Sequence, residues 1–457
     1  MTAREAALRA LLAGGDAAGA LDRVLTGAQL SERDRALATE LAHGTLKRRR
    51  TLEWSVRACL NKPFAKLERS LQWSLLLGAY QILFLERVPA HSAVAESVSL
   101  ARKFGHAGHA AVANAVLRRL ARDKPLPPRP DPASRGRDYI EKADHIQNDA
   151  AALGLYASLP DWIAGALIER FGASRALAIA ENLNRPPQRA LRVDLTKWSS
   201  AQAAAALAEA GFEAGGGRLG IPECLVVRNV ARGDRAFLRV CVADGRLAWQ
   251  SEESQLAVHL LDPKPGETVL DVCAGRGVKT GAIAARLRGS GTIVALDDDA
   301  AKLESLAAAA QHFATPVTAL RADVRVSYPA AAPRAADAVL VDAPCSGLGV
   351  IGRRADVRWR KRPQDPARFA TVQRAVLARA AEHVRPGGRL LYVTCSFSPA
   401  EDEDVVAEFL RTDASWRPAA LAAPAAAGIR ATGSALLTEP GAEGGDGFYY
   451  AALEKRS

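Results

Sequence analysis

Apolar residues at helical spacing dominate the first part of the chain. Through residues 3–122 they recur every three or four positions, as at Leu71, Leu75 and Leu76. This spacing places them on one face of a helix. We therefore predict an all-helical bundle over residues 1–125.

The last two hundred residues follow a different pattern. Short runs rich in β-branched residues predict strands at 268–272, 293–296, 338–341 and 390–393. Longer segments of helical spacing separate these runs, at 282–288, 300–312 and 367–383. Strands that alternate with helices are typical of an open, doubly wound sheet. The pattern predicts a Rossmann-like α/β domain over residues 246–457.

Two segments of mixed character lie between these regions. Residues 126–143 contain many prolines, which cannot continue a helix, and predict a stiff linker. Residues 144–245 combine helical patterns with short apolar runs at 191–193 and 225–227, which indicates a small α+β module. The predicted fold is therefore multidomain, with an all-α bundle, an α+β middle module and a C-terminal α/β domain.

Charge adds a preference for a polyanionic partner. The formal net charge is +11, which attracts nucleic acid through long-range electrostatics, although arginine enrichment in a GC-rich genome gives the same excess. No uninterrupted apolar run is long enough to span a bilayer, and charges interrupt the N-terminus, so neither a membrane partner nor a signal peptide is expected. Cytoplasmic location follows as an expectation.

The cysteines favour chemistry over metal binding. None of the six belongs to a C-x-x-C pair, so no metal site is predicted. Cysteine is a common buried hydrophobe, which suffices for Cys59, Cys224 and Cys241. Cys345 and Cys395 instead follow predicted strands within polar loops, where a reactive thiol is favoured.

A glycine-bearing turn after the first predicted strand indicates a ligand site. Such a turn lets the backbone approach a ligand closely, and the following helix N-terminus favours negative charge. Val278 stands where a nucleotide-triphosphate P-loop needs glycine, so that motif is excluded. The predicted cofactor segment comprises Cys273, Ala274, Gly275, Arg276, Gly277, Val278 and Lys279.

Acidic residues follow the later strands at the same predicted edge. Asp297 directly follows the strand predicted at 293–296, Asp342 directly follows that at 338–341, and Asp323 follows a further strand between the two. A single acid at a strand end is often only a helix cap. Because ligands bind at the carboxyl ends of strands in open α/β sheets, successive acids there favour a nucleoside cofactor.

The two thiols suit methylation of a pyrimidine. The C5 atom of cytosine is too poor a nucleophile for a sulfonium methyl group, but thiolate addition at C6 activates it. A carboxyl group such as Asp342 can assist at N3. A base must then remove the C5 proton, for which the second cysteine is a candidate.

Ordered motifs over nearly the whole chain resemble the bacterial ribosomal RNA small-subunit methyltransferase B family, also called Sun or Fmu proteins. The matching segments are 34–35, 88–91, 114–118, 184–187, 192–194, 250–255, 342–346, 353–359, 386–388, 394–396 and 446–450. The resemblance implies a NusB-like RNA-binding N-terminal domain and an S-adenosylmethionine-dependent RNA cytosine-C5 methyltransferase domain.

The resemblance also implies roles for individual residues. Cys395 would be the nucleophile and Cys345 would assist product release. Asp342 would touch substrate and cofactor, Asp297 the ribose and Asp323 the adenine side, while residues 273–279 would hold the methionine moiety. Ribosomal RNA is the expected substrate and partner, and the protein is expected to be a monomer.

Alternatives follow from departures and from the shared catalytic chemistry. The family usually reads Ala-Pro-Gly-Gly-Lys at 275–279, whereas this chain reads Gly-Arg-Gly-Val-Lys, and Asp194 and Ser251 replace the usual Asn and Asp. A non-catalytic RNA-binding assembly factor is therefore one alternative, and transfer RNA as substrate is another. Amino-group methylation would prefer an Asn- or Asp-Pro-Pro-aromatic motif where residues 342–345 stand.

Basic residues after the first cysteine loop predict an RNA contact. Arg353, Arg354, Arg358 and Arg360 flank Trp359. A basic run is more often only a solvated surface. Its position after the catalytic loop favours a role in guiding an unstacked base.

Overall fold

Two compact units make up the part of the chain that the structure describes. The computed structural model describes residues 1–131, 143–228, 230, 233–422 and 424–457, and most of the linker predicted at 126–143 lies outside them. The first unit comprises Met1–Arg185 with Ile351–Pro363, and the second comprises Pro186–Val350 with Gln364–Ser457. The four-part division at 125, 143 and 245 stays a prediction.

The first unit is helical. Its helices are α1 (Ala3–Ala13), α2 (Ala17–Thr26), α3 (Glu32–Lys47), α4 (Arg49–Arg57), α5 (Arg69–Phe84), α6 (Ala90–Lys103), α7 (Ala107–Asp123), α8 (Ala143–Ala157), α9 (Asp161–Phe171) and α10 (Ala173–Asn182), with a 3₁₀ turn at Phe64–Lys66. The predicted apolar face is buried in α5, where Leu71, Leu75 and Leu76 are almost fully enclosed. The all-α prediction is confirmed.

A small antiparallel sheet opens the second unit. Its strands are β1 (Ala190–Val193), β2 (Glu213–Gly216), β3 (Cys224–Arg228) and β4 (Leu247–Trp249), in the order β2-β3-β1-β4, accompanied by α11 (Ser200–Glu209) and α12 (Arg235–Ala243). Leu191, Leu207 and Leu225 pack together in its core. The α+β middle module is therefore confirmed.

A larger sheet fills the rest of the second unit. Its strands are β5 (Thr268–Val272), β6 (Thr292–Asp297), β7 (Val317–Arg321), β8 (Ala336–Asp342), β9 (Val384–Thr394), β10 (Trp416–Pro418), β11 (Ile429–Thr432), β12 (Ala435–Thr438) and β13 (Tyr449–Lys455). The remaining helices are α13 (Glu252–Leu261), α14 (Val278–Leu287), α15 (Ala300–Ala310), α16 (Val357–Arg360), α17 (Asp365–Ala381) and α18 (Glu403–Thr412), of which α16 belongs to the first unit.

The order of the parallel strands fixes where ligands bind. Strands β7, β6, β5, β8 and β9 are neighbours in that order and run parallel. The chain order therefore reverses between β5 and β8. Open α/β sheets bind ligands at such a switch point, outside the carboxyl ends of the strands. The loops after β5, β8 and β9 lie at this edge, since Val272 pairs with Val341 and Asp342 with Val393.

Antiparallel strands extend the sheet beyond β9. Strand β13 pairs with β9 through Tyr449 and Thr394, and it also pairs with β12 and β10. Apolar and aromatic side chains in β13, including Tyr449, Tyr450 and Leu453, are buried. The sequence pattern did not predict these C-terminal strands.

Among the described residues, no single helix is long and apolar enough to cross a membrane. One bent pair of helices, 149–157 and 161–171, meets the same criteria of length and composition when taken together.

Candidate active site

The two cysteines predicted to be reactive lie together. Their Sγ atoms are 3.1 Å apart. Cys395 directly follows β9, and Cys345 lies three residues beyond the end of β8. Backbone hydrogen bonds join the two loops, from Gly349 N–H to the Cys395 carbonyl at 3.0 Å and from Ala343 N–H to the Val393 carbonyl at 2.9 Å. The strand ends therefore present both thiols to one point.

The Cys345 thiol is held in an environment that opposes its ionisation. The hydrogen bond with Cys395 and burial of the side chain raise the pKa of the Cys345 thiol well above its ordinary value. Cys345 thus keeps its proton at neutral pH. A thiol is a weak nucleophile and a thiolate a strong one, so Cys345 is poorly suited to act as the nucleophile.

Asp342 forms an ion pair that the sequence analysis did not anticipate. Its Oδ2 atom is 2.6 Å from Nζ of Lys279, the second residue of α14. The Lys279 side chain is mostly enclosed, and its ammonium group also lies 5.6 Å from the ring centre of Phe448. Lys279 therefore holds the Asp342 carboxylate at the carboxyl edge of the sheet, where the cysteines also lie.

The predicted cofactor loop has an unusual backbone. Cys273, Gly275 and Gly277 have φ angles of 64°, 58° and 80°. Only glycine adopts this left-handed region without cost. A Cβ atom on Gly277 would come within 2.7 Å of Leu306, so both conformation and space require glycine there. The loop thus leaves its backbone open to close approach before α14.

Two buried acidic residues hold this loop through hydrogen bonds. Asp297 Oδ2 accepts a hydrogen bond from Gly275 N–H at 2.8 Å, and Asp271 Oδ2 accepts one from the Thr280 hydroxyl at 2.6 Å. Burial raises the pKa of Asp271 to about 7. Asp297 is therefore both a candidate ribose ligand and a support for the turn. We assign Asp271 only the supporting role.

The other predicted cofactor residues are more exposed. Both carboxylate oxygens of Asp323 accept hydrogen bonds from Arg325, at 2.8 and 2.6 Å. The Arg276 guanidinium donates to the Ser305 hydroxyl at 3.2 Å. A ligand that used Asp323 would have to share it with Arg325.

Arg358 departs from its predicted role. Its side chain is completely buried in the first unit and donates to the carbonyls of Ile351, Lys47 and Leu183 and to Asn184 Oδ1, at 2.8–3.1 Å. Burial lowers its pKa to about 9. Such an enclosed guanidinium does not reach RNA, so the expected RNA contact is wrong for Arg358 and a structural role replaces it.

The neighbouring arginines have different surroundings. Arg354 is exposed and Arg353 half-buried. Arg360 forms an ion pair with Asp356 at 2.8 Å and keeps nearly half of its side chain exposed. The candidate RNA contact therefore narrows to Arg353, Arg354 and Arg360.

One group of side chains in the first unit has the composition of a metal site. Glu68, His106 and His109 are the only such group among the described residues. The Nδ1 atom of His106 accepts a hydrogen bond from Gly108 N–H at 3.1 Å and so caps α7. A metal bound at that nitrogen would have to break the cap, and we assign no metal site.

Sequence reasoning also missed a buried carboxylate near the cysteines. Glu401 contacts Ser346 and Ser396, which directly follow Cys345 and Cys395. The repeated Cys-Ser pair was the available signal. Nothing in the sequence indicated that one acid would join both serines.

Comparison with known sequences identifies three matching regions. Residues 258–454 match the family described as 16S rRNA methyltransferase RsmB/F, residues 1–122 match the NusB family, and residues 159–231 match the ferredoxin-like domain of RsmF/B-like methyltransferases. The first region covers most of the α/β part of the fold and the second the helical bundle, whereas the third spans α9, α10 and strands β1 to β3.

Solved structures share this architecture. The crystal structure of PH0851 is similar over 98% of this chain and 97% of its own, with a TM-score of 0.78 and 23% identity. NSun6 from Pyrococcus horikoshii is similar over 65% of this chain and 98% of its own, with a TM-score of 0.57 and 20% identity. At such identities the likeness supports the fold.

Similar sequences extend along the whole chain. The ribosomal RNA small subunit methyltransferase B of Pseudomonas putida is 33% identical, over 100% of this chain and 99% of its own. The Vibrio cholerae protein of the same name is 31% identical over 100% and 98%, and the probable enzyme of Bacillus subtilis 31% over 87% and 85%. This chain therefore belongs to the ribosomal RNA small subunit methyltransferase B family.

Proposed function

We propose that this protein transfers a methyl group from S-adenosylmethionine to C5 of a cytosine in small-subunit ribosomal RNA, with Cys395 as the covalent nucleophile. The observation that carries the proposal is the 3.1 Å approach of the Cys395 and Cys345 sulfurs at the carboxyl edge of the sheet. Asp342 ends a neighbouring strand of the same sheet. Two thiols and a carboxylate at one edge suit pyrimidine methylation better than a purely binding role.

The residues present fit S-adenosylmethionine. Residues 273–279 would lie against the methionine moiety, because the left-handed turn leaves the backbone accessible there. Asp297 would accept hydrogen bonds from the ribose, Asp323 would lie on the adenine side, and Asp342 would touch both cofactor and substrate. When bound, this cofactor supplies an electrophilic methyl group. The structure of NSun6 was determined with SFG, an analogue of the same cofactor, which supports this use of the fold.

The protein's own groups would act in sequence on the cytosine. The Cys395 thiolate adds to C6 while the carboxyl group of Asp342 supplies a proton to N3, so that electron density moves to C5 and C5 accepts the methyl group. Loss of the C5 proton then lets the Cys395 sulfur leave. We assign removal of the C5 proton to Cys345, which lies beside Cys395 and whose own proton must first pass to water.

Ribosomal RNA is the proposed substrate because the curated relatives carry that name and because a NusB-family region precedes the catalytic domain. Arg353, Arg354 and Arg360 are the proposed RNA contacts of the segment after the cysteine loop. A cytoplasmic monomer, as the sequence analysis expected, remains part of this proposal.

Trapping of the covalent intermediate tests the proposal. RNA that contains 5-fluorocytosine should form an adduct with the protein, which resists denaturing electrophoresis, and Cys395→Ser should form none. Cys345→Ser should accumulate the adduct with unmodified RNA. Cys241→Ser, which alters a buried thiol of the middle module, is the matched control and should behave as the parent protein. Methyl transfer by Cys395→Ser at the parent rate would refute the proposal.

A further inference from the structure

We propose that Glu401 is a positioning residue, whose carboxylate holds the two cysteine loops at the separation that methyl transfer requires. The proposal deepens the function above and rests on it. Glu401 lies in the connection between β9 and α18, the same loop that carries Cys395, and it reaches across to the loop of Cys345. It would act on the reaction only through the residues that it holds.

Both oxygens of the Glu401 carboxylate accept hydrogen bonds from the cysteine loops. Oε1 accepts from Ser346 N–H at 2.7 Å, and Oε2 accepts from the Ser396 hydroxyl at 2.7 Å and from the Ser346 hydroxyl. Ser346 follows Cys345 and Ser396 follows Cys395. One side chain therefore ties the residue after each thiol.

The same carboxylate is fastened to the surrounding fold. Gln373 of α17 donates from Nε2 to Glu401 Oε1 at 3.2 Å and to the Pro344 carbonyl at 2.9 Å. The Tyr392 hydroxyl in β9 donates to the Glu401 backbone carbonyl at 2.7 Å. These hydrogen bonds connect the cysteine loops to strand β9 of the large sheet and to helix α17.

Burial of the Glu401 carboxylate has a free-energy cost. The residue is fully buried, and burial raises its pKa because a carboxylate loses hydration there. Four donors offset that loss. An apolar residue would fill the space without this cost, but it would not join two loops that have no strand pairing at these positions.

Small displacements at this point affect catalysis strongly. A misplacement of about 1 Å can cost about a hundredfold in rate when reacting groups must meet in one geometry. Each cysteine is covalently joined to a serine that Glu401 holds, so loss of the carboxylate removes a support shared by both sulfurs, while the backbone bond from Gly349 N–H to the Cys395 carbonyl remains. Such a change should act on the chemical step and spare cofactor binding.

Thiol–disulfide exchange measures the separation of the sulfurs without methyl transfer. With oxidised glutathione, Cys345 and Cys395 would each lose a proton and be oxidised to one internal disulfide, while glutathione disulfide is reduced to two glutathione thiols. We expect rapid formation of this bond in the parent protein, followed by peptide mass spectrometry. Glu401→Ala should slow it about tenfold or more, because the effective concentration of one thiol at the other falls.

Conservative replacement separates positioning from general stability. Glu401→Gln keeps an acceptor for Ser346 N–H and should restore most of the exchange rate. Glu267→Gln is the matched control, since it weakens a largely enclosed carboxylate pair with Arg389 at 2.6 Å, before β5 and away from the carboxyl edge. This control should exchange at the parent rate.

Single-turnover methylation gives the second readout. Glu401→Ala should lower the rate at saturating cofactor about a hundredfold with little change in cofactor affinity, and Glu401→Gln should recover about tenfold of that loss. If Glu401→Ala does not fold, Ser346→Ala and Ser396→Ala must each show the same two effects in weaker form.

The two proposals fail in different ways. Parent-like exchange and methylation in Glu401→Ala, or in both serine variants, would overturn the positioning role and leave the function intact. Slower exchange in Glu401→Ala, together with methylation by Cys395→Ser at the parent rate, would overturn the covalent mechanism. Glu401 would then still hold the two loops together, but it would have no role in catalysis.

Discussion

Single side chains at the carboxyl edge of the sheet carry the proposed chemistry. The 2.6 Å pair between Lys279 and Asp342 is the clearest example, because it links the cofactor loop to the proposed substrate site. Sequence reasoning proposed a role for both residues but did not join them. The pair forms between elements 63 residues apart, and no local pattern reports such a contact.

Lys279→Met tests that pair. The change should lower single-turnover methylation about a hundredfold, since Asp342 would lose the group that orients it. Lys264→Met is the matched control, because its ion pair with Asp262 lies largely exposed. An unchanged rate in Lys279→Met would contradict the role of the pair.

Asp271 gives a pH-dependent stability. Its folded pKa of about 7 exceeds the ordinary 3.8, so the folded protein retains a proton there that the unfolded chain loses. The contribution of protonated Asp271 to the stability of the fold is fully present below pH 3.8 and is lost as the pH rises through about 7. Asp271→Asn should therefore stabilise the protein more at about pH 8 than at about pH 5, by on the order of 1 kcal/mol.

Chemical denaturation at the two pH values measures this difference. Asp262→Asn serves as the control, because its carboxylate is half-exposed. An equal change in the free energy of unfolding at both pH values would show that Asp271 is ionised in the folded protein across this range.

At the scale of elements, the cofactor turn before α14 shows what a sequence pattern reveals. The glycines at 275 and 277 were recognised as a ligand turn, and the strand and helix beside them were predicted. The pattern did not show that the two glycines are unequal. A Cβ atom on Gly275 would meet nothing within 4 Å, whereas one on Gly277 would collide with Leu306.

Paired alanine variants make that inequality measurable. Gly275→Ala should cost about 1 kcal/mol, the penalty of a left-handed backbone alone. Gly277→Ala should cost about 1–3 kcal/mol more through overpacking, and it should also weaken cofactor binding. Thermal unfolding and calorimetric titration with S-adenosylmethionine would check both. Equal effects of the two variants would contradict the assigned packing.

The parallel strands were predictable and the antiparallel ones were not. Strands β5, β6, β8 and β9 are buried apolar runs, which the sequence displays directly. Strands β10 to β12 are only three or four residues long, and their assignment depends on pairing partners distant in sequence. Register along β9, which no local pattern encodes, places β13 beside it.

At the scale of the whole molecule, the chain passes between the two compact units more than once. Residues 351–363 follow the first cysteine loop but belong to the helical unit. Arg358 anchors this segment within that unit through its hydrogen bonds to Lys47, Leu183 and Asn184. A charge pattern cannot tell which arginine of a basic run turns inward, so the sequence prediction erred at Arg358.

Two arginine variants separate anchoring from RNA contact. Arg358→Met should lower the stability of the helical unit by about 3 kcal/mol, because several buried carbonyls lose their donor. Arg354→Met should leave stability almost unchanged, weaken RNA binding, and reduce the salt dependence of binding by about one counterion. Thermal unfolding and filter binding at several salt concentrations would measure both. Equal destabilisation by the two changes would contradict this division.

The pairing of β13 with β9 has a consequence for biosynthesis. Translation produces the cofactor turn and both cysteine loops well before Tyr449–Lys455. Until that segment leaves the ribosome, β9 presents an unpaired edge, and Gly349 lacks its hydrogen-bonded neighbour Gly447. A nascent chain that stalls before residue 449 would expose the unpaired edge of β9, which can pair with other chains. Binding of chaperones should therefore be strongest between the synthesis of β9 and that of β13.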